Sequence, residues 1–509
     1  MNIRIKKQLL KIYTVINYLG SVLYVIGFFF IIPLVSSVVW GRGYGSDPFI
    51  GFTVAIVVSF AVGFIFKRFE TKADLKTSGA VLVCSLGWIV TSAVGAIPLV
   101  FGIGASYLDA YFEIMSGFTT TGITMFTGLD NFPISIILWR SITQWVGGLG
   151  ILTFFLFVTS QVSGISRLFS AESHKIHVKR PVPGIANTIK ILWGIYILLT
   201  SVIFFSLVLA GSSLFSSLNH ALTTLSTGGF SPFDASIAHY QNIGHSHFRL
   251  IEYIIIFGMF LGGTNFLIHF RMLRGEFKGL IKTTEFRRWV MFIALFTVII
   301  FLERVFNLSD IVQTSAGDGL WAKLESNFRA SLFQVVSVIT TTGFATKDIA
   351  SSFFGSVSRQ LFIVMMIMGG CVGSTAGGIK ILRVSILLKM IKREIKKLVQ
   401  PNSALDGLVV DHNKIDSDEI YRVSSLFFIW VVLLIFGGIV TAFFSNVGDF
   451  AAFSGMSSAL GNIGPSYISI ETMSQFNPII KIVYILGMMA GRLEIIPVLL
   501  LFSPRGWEY

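Results

Sequence analysis

Thr119-Thr120-Thr121-Gly122, Ser226-Thr227-Gly228-Gly229, Thr340-Thr341-Thr342-Gly343 and Gly461-Asn462-Ile463-Gly464 are four versions of one short stretch, and their reading decides the fold. The terminal glycines lie 107, 114 and 121 residues apart, which leaves room for two membrane crossings and their loops in every interval. Behind each glycine stands a segment of 10 to 13 residues that is too short to cross: Tyr107 to Phe118, Leu214 to Leu225, Asn327 to Ile339 and Phe450 to Leu460. One Thr-Gly stretch alone would read as ordinary helix packing through small residues. Four in phase, each behind a segment of half-helix length, predict re-entrant half-helices that carry nonhelical backbone to membrane depth. Backbone of that kind is tolerated in lipid only where it is buried in protein or lines water. The repeat therefore predicts a pore.

Composition agrees. The 509 residues are 53% hydrophobic and only 13% charged, with 49 Phe and a mean hydropathy of +0.77, too little charge to cover a soluble surface of that size. Apolar runs of spanning length are placed at 13–40, 48–66, 77–102, 132–160, 187–213, 249–273, 289–307, 358–392, 420–446 and 477–503, ten spans in all. The first follows Arg4, Lys6, Lys7 and Lys11, carries no small-residue cleavage site and reads as a retained anchor. Basic clusters at Lys67 to Lys76, Arg167 to Lys190, Arg271 to Arg288 and Lys380 to Lys397 alternate with basic-poor loops. By the positive-inside bias these loops and both termini are expected in the cytoplasm. Topology and anionic headgroups thus account for the net charge of +13, and no separate basic-aromatic region suggests nucleic-acid binding. Two cysteines, Cys84 and Cys371, support neither a disulfide framework nor a metal site.

The expected architecture is an all-α integral membrane protein with four span/half-helix/span repeats in pseudo-fourfold arrangement around one pore. Its parts are an N-terminal two-span region, 1–76, and repeats at 77–165, 166–285, 286–400 and 401–509. Thr120, Thr121, Gly122, Thr227, Gly228, Gly229, Thr341, Thr342, Gly343, Asn462, Ile463 and Gly464 would present carbonyls to a dehydrated monovalent cation, glycine allowing the strand to turn them inward. Half-helix C-termini would add negative dipole ends. Asp130, Asp234, Asp348 and Glu471 follow the glycines by 8, 5, 5 and 7 positions, as a loose negative ring at the outer mouth or as loop carboxylates capping nearby turns. Nine positions before the glycines stand Glu113, His220, Gln334 and Gly455. The first three are read as bracing the filter from behind.

In the third repeat, Gly369-Gly370-Cys371-Val372-Gly373-Ser374-Thr375-Ala376-Gly377-Gly378 interrupts the second span. Glycine at that density cannot hold a helix interior, so the run is expected to form a flexible constriction below the filter, against the alternative of close helix packing. Arg492 lies mid-run in the fourth repeat. An intramembrane arginine is costly and faces a partner or a cavity; Glu494, the carbonyls of the Gly-rich run or another repeat's carboxylate are the candidates.

Several stretches resemble one family specifically. They are Asp109-Ala110-Tyr111-Phe112-Glu113, Ser116-Gly117-Phe118-Thr119-Thr120-Thr121-Gly122, Trp139-Arg140-Ser141, Gln144-Trp145-Val146-Gly147-Gly148-Leu149-Gly150, Gly262-Gly263-Thr264-Asn265-Phe266, Gly373-Ser374-Thr375-Ala376-Gly377-Gly378 and Gly491-Arg492-Leu493-Glu494. The chain resembles the Trk, Ktr and HKT-type K⁺ transporters, most closely the TrkH-type membrane subunit of bacterial Trk systems, and two extra spans at about 13–66 match that branch. The resemblance implies a homodimer with one pore per protomer in the bacterial inner membrane, and a cytosolic TrkA-like nucleotide-binding regulatory subunit. It implies no covalent cofactor, K⁺ in the pore, and nucleotide only through the partner. It also makes the four glycines the K⁺ filter, Gly369, Gly370, Gly373, Ser374, Thr375, Gly377 and Gly378 the gate, and Arg492 a residue crossing beneath the filter. The fourth filter departs from the family's Asn-Asn-x-Gly-Pro by carrying Gly461 first, so the resemblance implies cation selectivity more firmly than a strict preference for K⁺ over Na⁺.

K⁺ uptake driven by membrane potential is the expected function; no phosphate-cradling Gly-Lys-Ser/Thr motif is present. One alternative is H⁺- or Na⁺-coupled symport, with Glu113 and His220 as candidate relay groups. Another is a membrane-embedded transferase, which needs clustered acids or histidines at one interface. The eight histidines are scattered, His239, His245 and His247 forming the one local group.

Overall fold

The computed structural model describes residues 3–40, 47–69, 77–161, 185–276, 283–306, 320–399, 408–411 and 413–507. The repeat boundaries at 76/77, 165/166 and 400/401 fall wholly or partly outside them, as does most of the basic stretch Arg167 to Lys190.

Long apolar runs without internal punctuation form the outer helices. α1 (Ile3–Phe29) and α2 (Ile31–Val39) follow one another with a short break at Phe30, and α3 (Asp47–Lys67) packs against α1. Close approach is enforced at Gly20 and Gly63, each of which lies against the backbone oxygen of the other. α4 (Thr77–Gly95) and α5 (Ile97–Ile103) lead to α6 (Tyr107–Phe118), and α7 (Ile134–Gln161) returns. The order then recurs: α8 (Ile185–Leu209), α9 (Leu214–Leu225), a short α10 (Ala238–Asn242), α11 (Phe248–Gly263) and α12 (Phe266–Leu273). Next come α13 (Thr284–Phe306), α14 (Leu320–Ile339), α15 (Ser356–Ile367) and α16 (Ile381–Lys397). A two-residue antiparallel hairpin, Val409–Val410 with Asn413–Lys414, precedes α17 (Ser417–Phe444), α18 (Asp449–Gly461), α19 (Ile470–Ser474), α20 (Pro478–Leu493) and α21 (Ile495–Phe502).

Six helices among the described residues are long and apolar enough to cross a membrane, and α11 with α12 makes a seventh if that pair, bent by 104°, is one span. This is an all-α, multi-pass membrane protein. Of the ten apolar runs, 132–160 forms the continuous helix α7, whereas 249–273, 358–392 and 477–503 are each broken into two helices. Thr264 and Asn265 leave helical geometry between α11 and α12, with Asn265 Oδ1 capping the amide of Leu267 at 2.9 Å. Residues 368–380 separate α15 from α16, and Glu494 separates α20 from α21. The third short segment is also longer than its sequence reading, starting at Leu320 and not at Asn327.

Burial inverts between the layers. The helices ending in the Thr-Gly stretches bury almost their whole final turns, from Phe112 to Phe118 in α6 and from Asn327 to Ile339, Phe328 and Leu332 apart, in α14. The outer helices expose Phe205, Phe257, Phe436 and other large apolar side chains, as lipid-facing surfaces do. Three large apolar clusters fill the space between, so the short helices stand at the centre with a scaffold around them.

Candidate functional site

Each short helix ends in the same hydrogen-bond pattern. Thr120 N donates to Gly117 O and Thr121 N to Ser116 O, at 2.9 and 2.8 Å; Thr227 N reaches Thr224 O and Gly228 N reaches Thr223 O, at 3.1 and 2.9 Å. The pairs Thr341 to Val338 with Thr342 to Ser337, and Asn462 to Ala459 with Ile463 to Ser458, repeat it at 3.0, 2.9, 3.3 and 2.9 Å. This is a Schellman cap, whose turning residue is ordinarily glycine. Here it is Thr120, Thr227, Thr341 or Asn462, at φ of 51°, 53°, 57° and 56°. A β-branched residue with left-handed φ is an outlier that persists only where its surroundings fix it. The cap engages the N–H groups with the helix and leaves the carbonyl oxygens over.

Two residues after each turning residue the glycines take positive φ again: Gly122 80°, Gly229 78°, Gly343 87° and Gly464 101°. These four glycines close on one another in order. A side-chain carbon at Gly122 would overlap Gly228 O, one at Gly229 would overlap Thr342 O, one at Gly343 would overlap Ile463 O, and one at Gly464 would stand 3.0 Å from Thr121 O. The first approaches the second, the second the third, the third the fourth and the fourth the first. All four glycines line a single open cavity of about 640 Å³.

Hydroxyls fix the strained turns. Thr119 Oγ1 and Thr121 Oγ1 are 2.7 Å apart, as are those of Thr340 and Thr342. Asn462 Nδ2 donates to Thr121 Oγ1 and to Met488 O, both at 2.9 Å, tying the fourth segment to the first. Gln144 holds the second: its Nε2 donates to Gly228 O at 2.5 Å and its Oε1 accepts from Phe230 N at 3.0 Å. The sequence reading gave Gln144 no role, because a lone glutamine inside an apolar helix carries no local signal.

The three bracing candidates differ. Glu113, fully buried, accepts from Met125 N at 2.9 Å, Thr124 Oγ1 at 3.0 Å and the equally buried Arg140 Nε at 2.8 Å. Arg140 also donates to Ser231 O at 3.2 Å and lies over the Phe230 ring. His220 Nε2 stands 3.2 Å from Ser231 Oγ and its Nδ1 3.3 Å from Tyr240 OH. Gln334 is buried with no hydrogen-bond partner for either amide atom among the described residues. At Gly455 the Tyr484 hydroxyl takes the space a side chain would need.

Asp234, Asp348 and Glu471 line the open cavity with Lys347 and Arg140. Asp130 is not among its lining residues and accepts from Asp234 N at 3.2 Å. The Asp234 carboxylate accepts the amides of Gly128 and Leu129 at 2.8 and 3.0 Å, and Asp348 that of Ala350 at 2.9 Å. These carboxylates fasten loops as well as facing the cavity. His239 stacks on Phe233, and no cluster of three potential metal ligands occurs among the described residues.

Below the glycines, residues 368–380 form an ordered loop. Cys371 N donates to Gly263 O at 2.9 Å, Thr375 Oγ1 to Leu225 O at 2.9 Å, and Gly377 N to Thr341 Oγ1 at 2.7 Å. Gly373 and Gly378 supply left-handed φ of 68° and 64°. Gly369 packs on Gly377, and Gly370 against Ala376 and Gly263 O, where a side-chain carbon would not fit. Ser374 Oγ donates to Cys371 O at 2.5 Å. The loop thus touches three of the four strained turns, through Thr227, Thr341 and Asn462. Arg492, buried, donates to Thr375 O and lies at the end of α20, beside the break that divides the run 477–503. The nearby Glu494 is paired with Arg383.

A helical membrane protein whose central short helices deliver a ring of backbone oxygens beneath an open cavity has the build of a membrane transport protein. The family model described as TrkH, cation transport protein, matches residues 46–509. The Trk system potassium uptake protein TrkH of Escherichia coli K12 is 32% identical, over 94% of this chain and 95% of that one. An uncharacterized cation transporter of Methanocaldococcus jannaschii is 32% identical over 96% and 95%. The crystal structure of the potassium transporter TrkH from Vibrio parahaemolyticus superposes with a TM-score of 0.84 at 27% identity, covering 97% and 99%. The chain belongs to the TrkH family of cation transport proteins, and it is a transporter and not an enzyme.

Proposed function

We propose that this chain is the membrane subunit of a K⁺ uptake system of the bacterial inner membrane, conducting ions inward through a filter of peptide oxygens. The observation that carries the reading is the closed cycle of Gly122, Gly229, Gly343 and Gly464 behind four identical helix caps. With the amides engaged in the caps, carbonyl oxygens are the groups left to replace an ion's hydration shell, Gly228 O while also accepting from Gln144 Nε2. The inward pull comes from the membrane potential, about 2.3 kcal/mol per charge per 100 mV. The loop 369–378 with Arg492 beneath serves as the gate. A homodimer, and a cytosolic nucleotide-binding subunit docking on the basic inner face, complete the system.

The test is growth rescue of a K⁺-uptake-deficient bacterium at low external K⁺ with Na⁺ as competitor. The chain should restore growth, and Gly343→Ser should make that growth sensitive to Na⁺. Absence of rescue, or a Gly343→Ser variant indistinguishable from wild type, overturns the proposal.

The chain Ser212, Tyr240, His220, Ser231 behind the second segment favours a second reading, H⁺-coupled symport. Reversal potentials that shift with pH at fixed K⁺ select it; potentials that follow K⁺ alone reject it.

A further inference from the structure

We infer that Glu494 and Arg383 form a backbone-strained clasp that holds the gate segment closed. This inference rests on the transport reading above and adds two positioning residues to the loop and Arg492.

Three observations converge on the pair. Glu494 is the hinge residue between α20 and α21, at φ 67° and ψ 157°. That region of backbone space is essentially reserved for glycine, and another residue stays there only where its surroundings over-determine it. The second observation supplies the determinant. Arg383 Nη2 lies 2.7 Å from Glu494 Oε1, with the two side chains 9% and 20% exposed, sheltered enough for the attraction to count. Arg383 belongs to the first turn of α16, immediately after the loop. The third is register: two residues before Glu494, Arg492 holds Thr375 O in the middle of the same loop. The fourth span thus grips the gate segment at its centre and again at the helix that follows it.

The pair also flanks a small cleft lined by Gly378, Ile379, Gly491 and Trp430, beside the loop. Movement of α16 out of this position separates Arg383 from Glu494 and at the same time lets the Glu494 backbone relax. Ion pair and strain therefore oppose each other, as a two-state element requires. The closed arrangement persists while the pair is intact.

The experiment uses the full chain in proteoliposomes without a regulatory subunit, and measures Rb⁺ influx with Na⁺ as competitor. Glu494→Gln and Arg383→Gln should each raise basal influx about fivefold or more with ion preference unchanged, the size of an ordinary coupling between two states. Glu494→Gly should raise it less, because it removes the strain together with the pair. The exchanged pair, Arg383→Glu with Glu494→Arg, should return influx toward wild type. Cys371, buried within the loop, gives a second readout in a Cys84→Ser background: thiol labelling should quicken in both Gln variants. Folded Gln variants with unchanged or lowered influx and unchanged labelling overturn the clasp, and a Gly variant as active as Gln overturns its strain. Wild-type vesicles that never prefer Rb⁺ to Na⁺ would instead sink the transport reading, and Cys371 labelling would still judge the clasp.

Discussion

At Gly229 a single added methyl group meets the carbonyl of Thr342, whereas at Gly464 it stands 3.0 Å from Thr121 O, a gap that a shift of a few tenths of an ångström relieves. Both glycines have left-handed φ, so both alanine variants carry backbone strain, but only the first also drives a carbonyl out of position. Gly229→Ala should therefore lower the K⁺/Na⁺ preference about tenfold, equivalent to about 1.4 kcal/mol, and Gly464→Ala distinctly less. Competitive uptake of the two ions measures this, and equal effects would show that the ring does not close in the order found. The buried pair of Glu113 and Arg140 yields a stability prediction. Removing Glu113 leaves the buried Arg140 without its counter-charge and with only neutral acceptors such as Ser231 O, at a cost of about 3–5 kcal/mol. Glu113→Ala should accordingly lower the melting temperature in detergent, and also release the Met125 amide and Thr124 hydroxyl that the carboxylate fastens.

Among the elements, the half-helices were legible in sequence because four segments of 11 to 13 residues, too short to cross, recur in phase ahead of the Thr/Gly stretches. α6 and α9 fall on those segments residue for residue. The breaks in the second and fourth repeats were not legible. Gly262-Gly263-Thr264-Asn265 and Gly491-Arg492-Leu493-Glu494 perturb four residues each within long apolar runs, too few to lower the average hydropathy of a span. The third break declared itself through seven residues of Gly, Ser or Thr in ten. Arg383 was hidden differently, as one more cation in a basic cluster whose charge topology alone explained. Charged side chains hold the loop at three backbone groups, Arg492 at Thr375 O, Glu285 at Val372 N and Lys380 at Ala376 O. Arg492→Ala should raise basal influx several-fold without changing ion preference, since the glycine ring lies above it. A fall in influx, or no change in protein that elutes as a single folded species, would leave the arginine a purely structural role.

For the whole molecule, the ring is only as firm as the clasps between successive segments, and those clasps are chemically unlike. Between the second and third, Arg329 meets Glu252 at 2.6 Å with both side chains almost fully buried. Between the fourth and first, Lys481 meets Asp109 at 2.5 Å, but Asp109 is 23% exposed and Lys481 also donates to Ser474 O at 2.7 Å. Tyr467 OH joins the fourth to the third through Arg359 O at 2.9 Å. Loss of a partner is felt according to what is left behind. Arg329→Met strands the Glu252 carboxylate in a dry interface, a loss of about 3–5 kcal/mol. Asp109→Asn keeps an amide oxygen beside the buried Lys481, which also retains the Ser474 carbonyl, so the loss is smaller, about 1–2 kcal/mol. Thermal unfolding of the two variants in one detergent should separate them clearly, with Arg329→Met melting far earlier. Comparable melting points would mean that the second and third segments are held by their apolar packing and that the ion pair adds nothing to the closure of the ring.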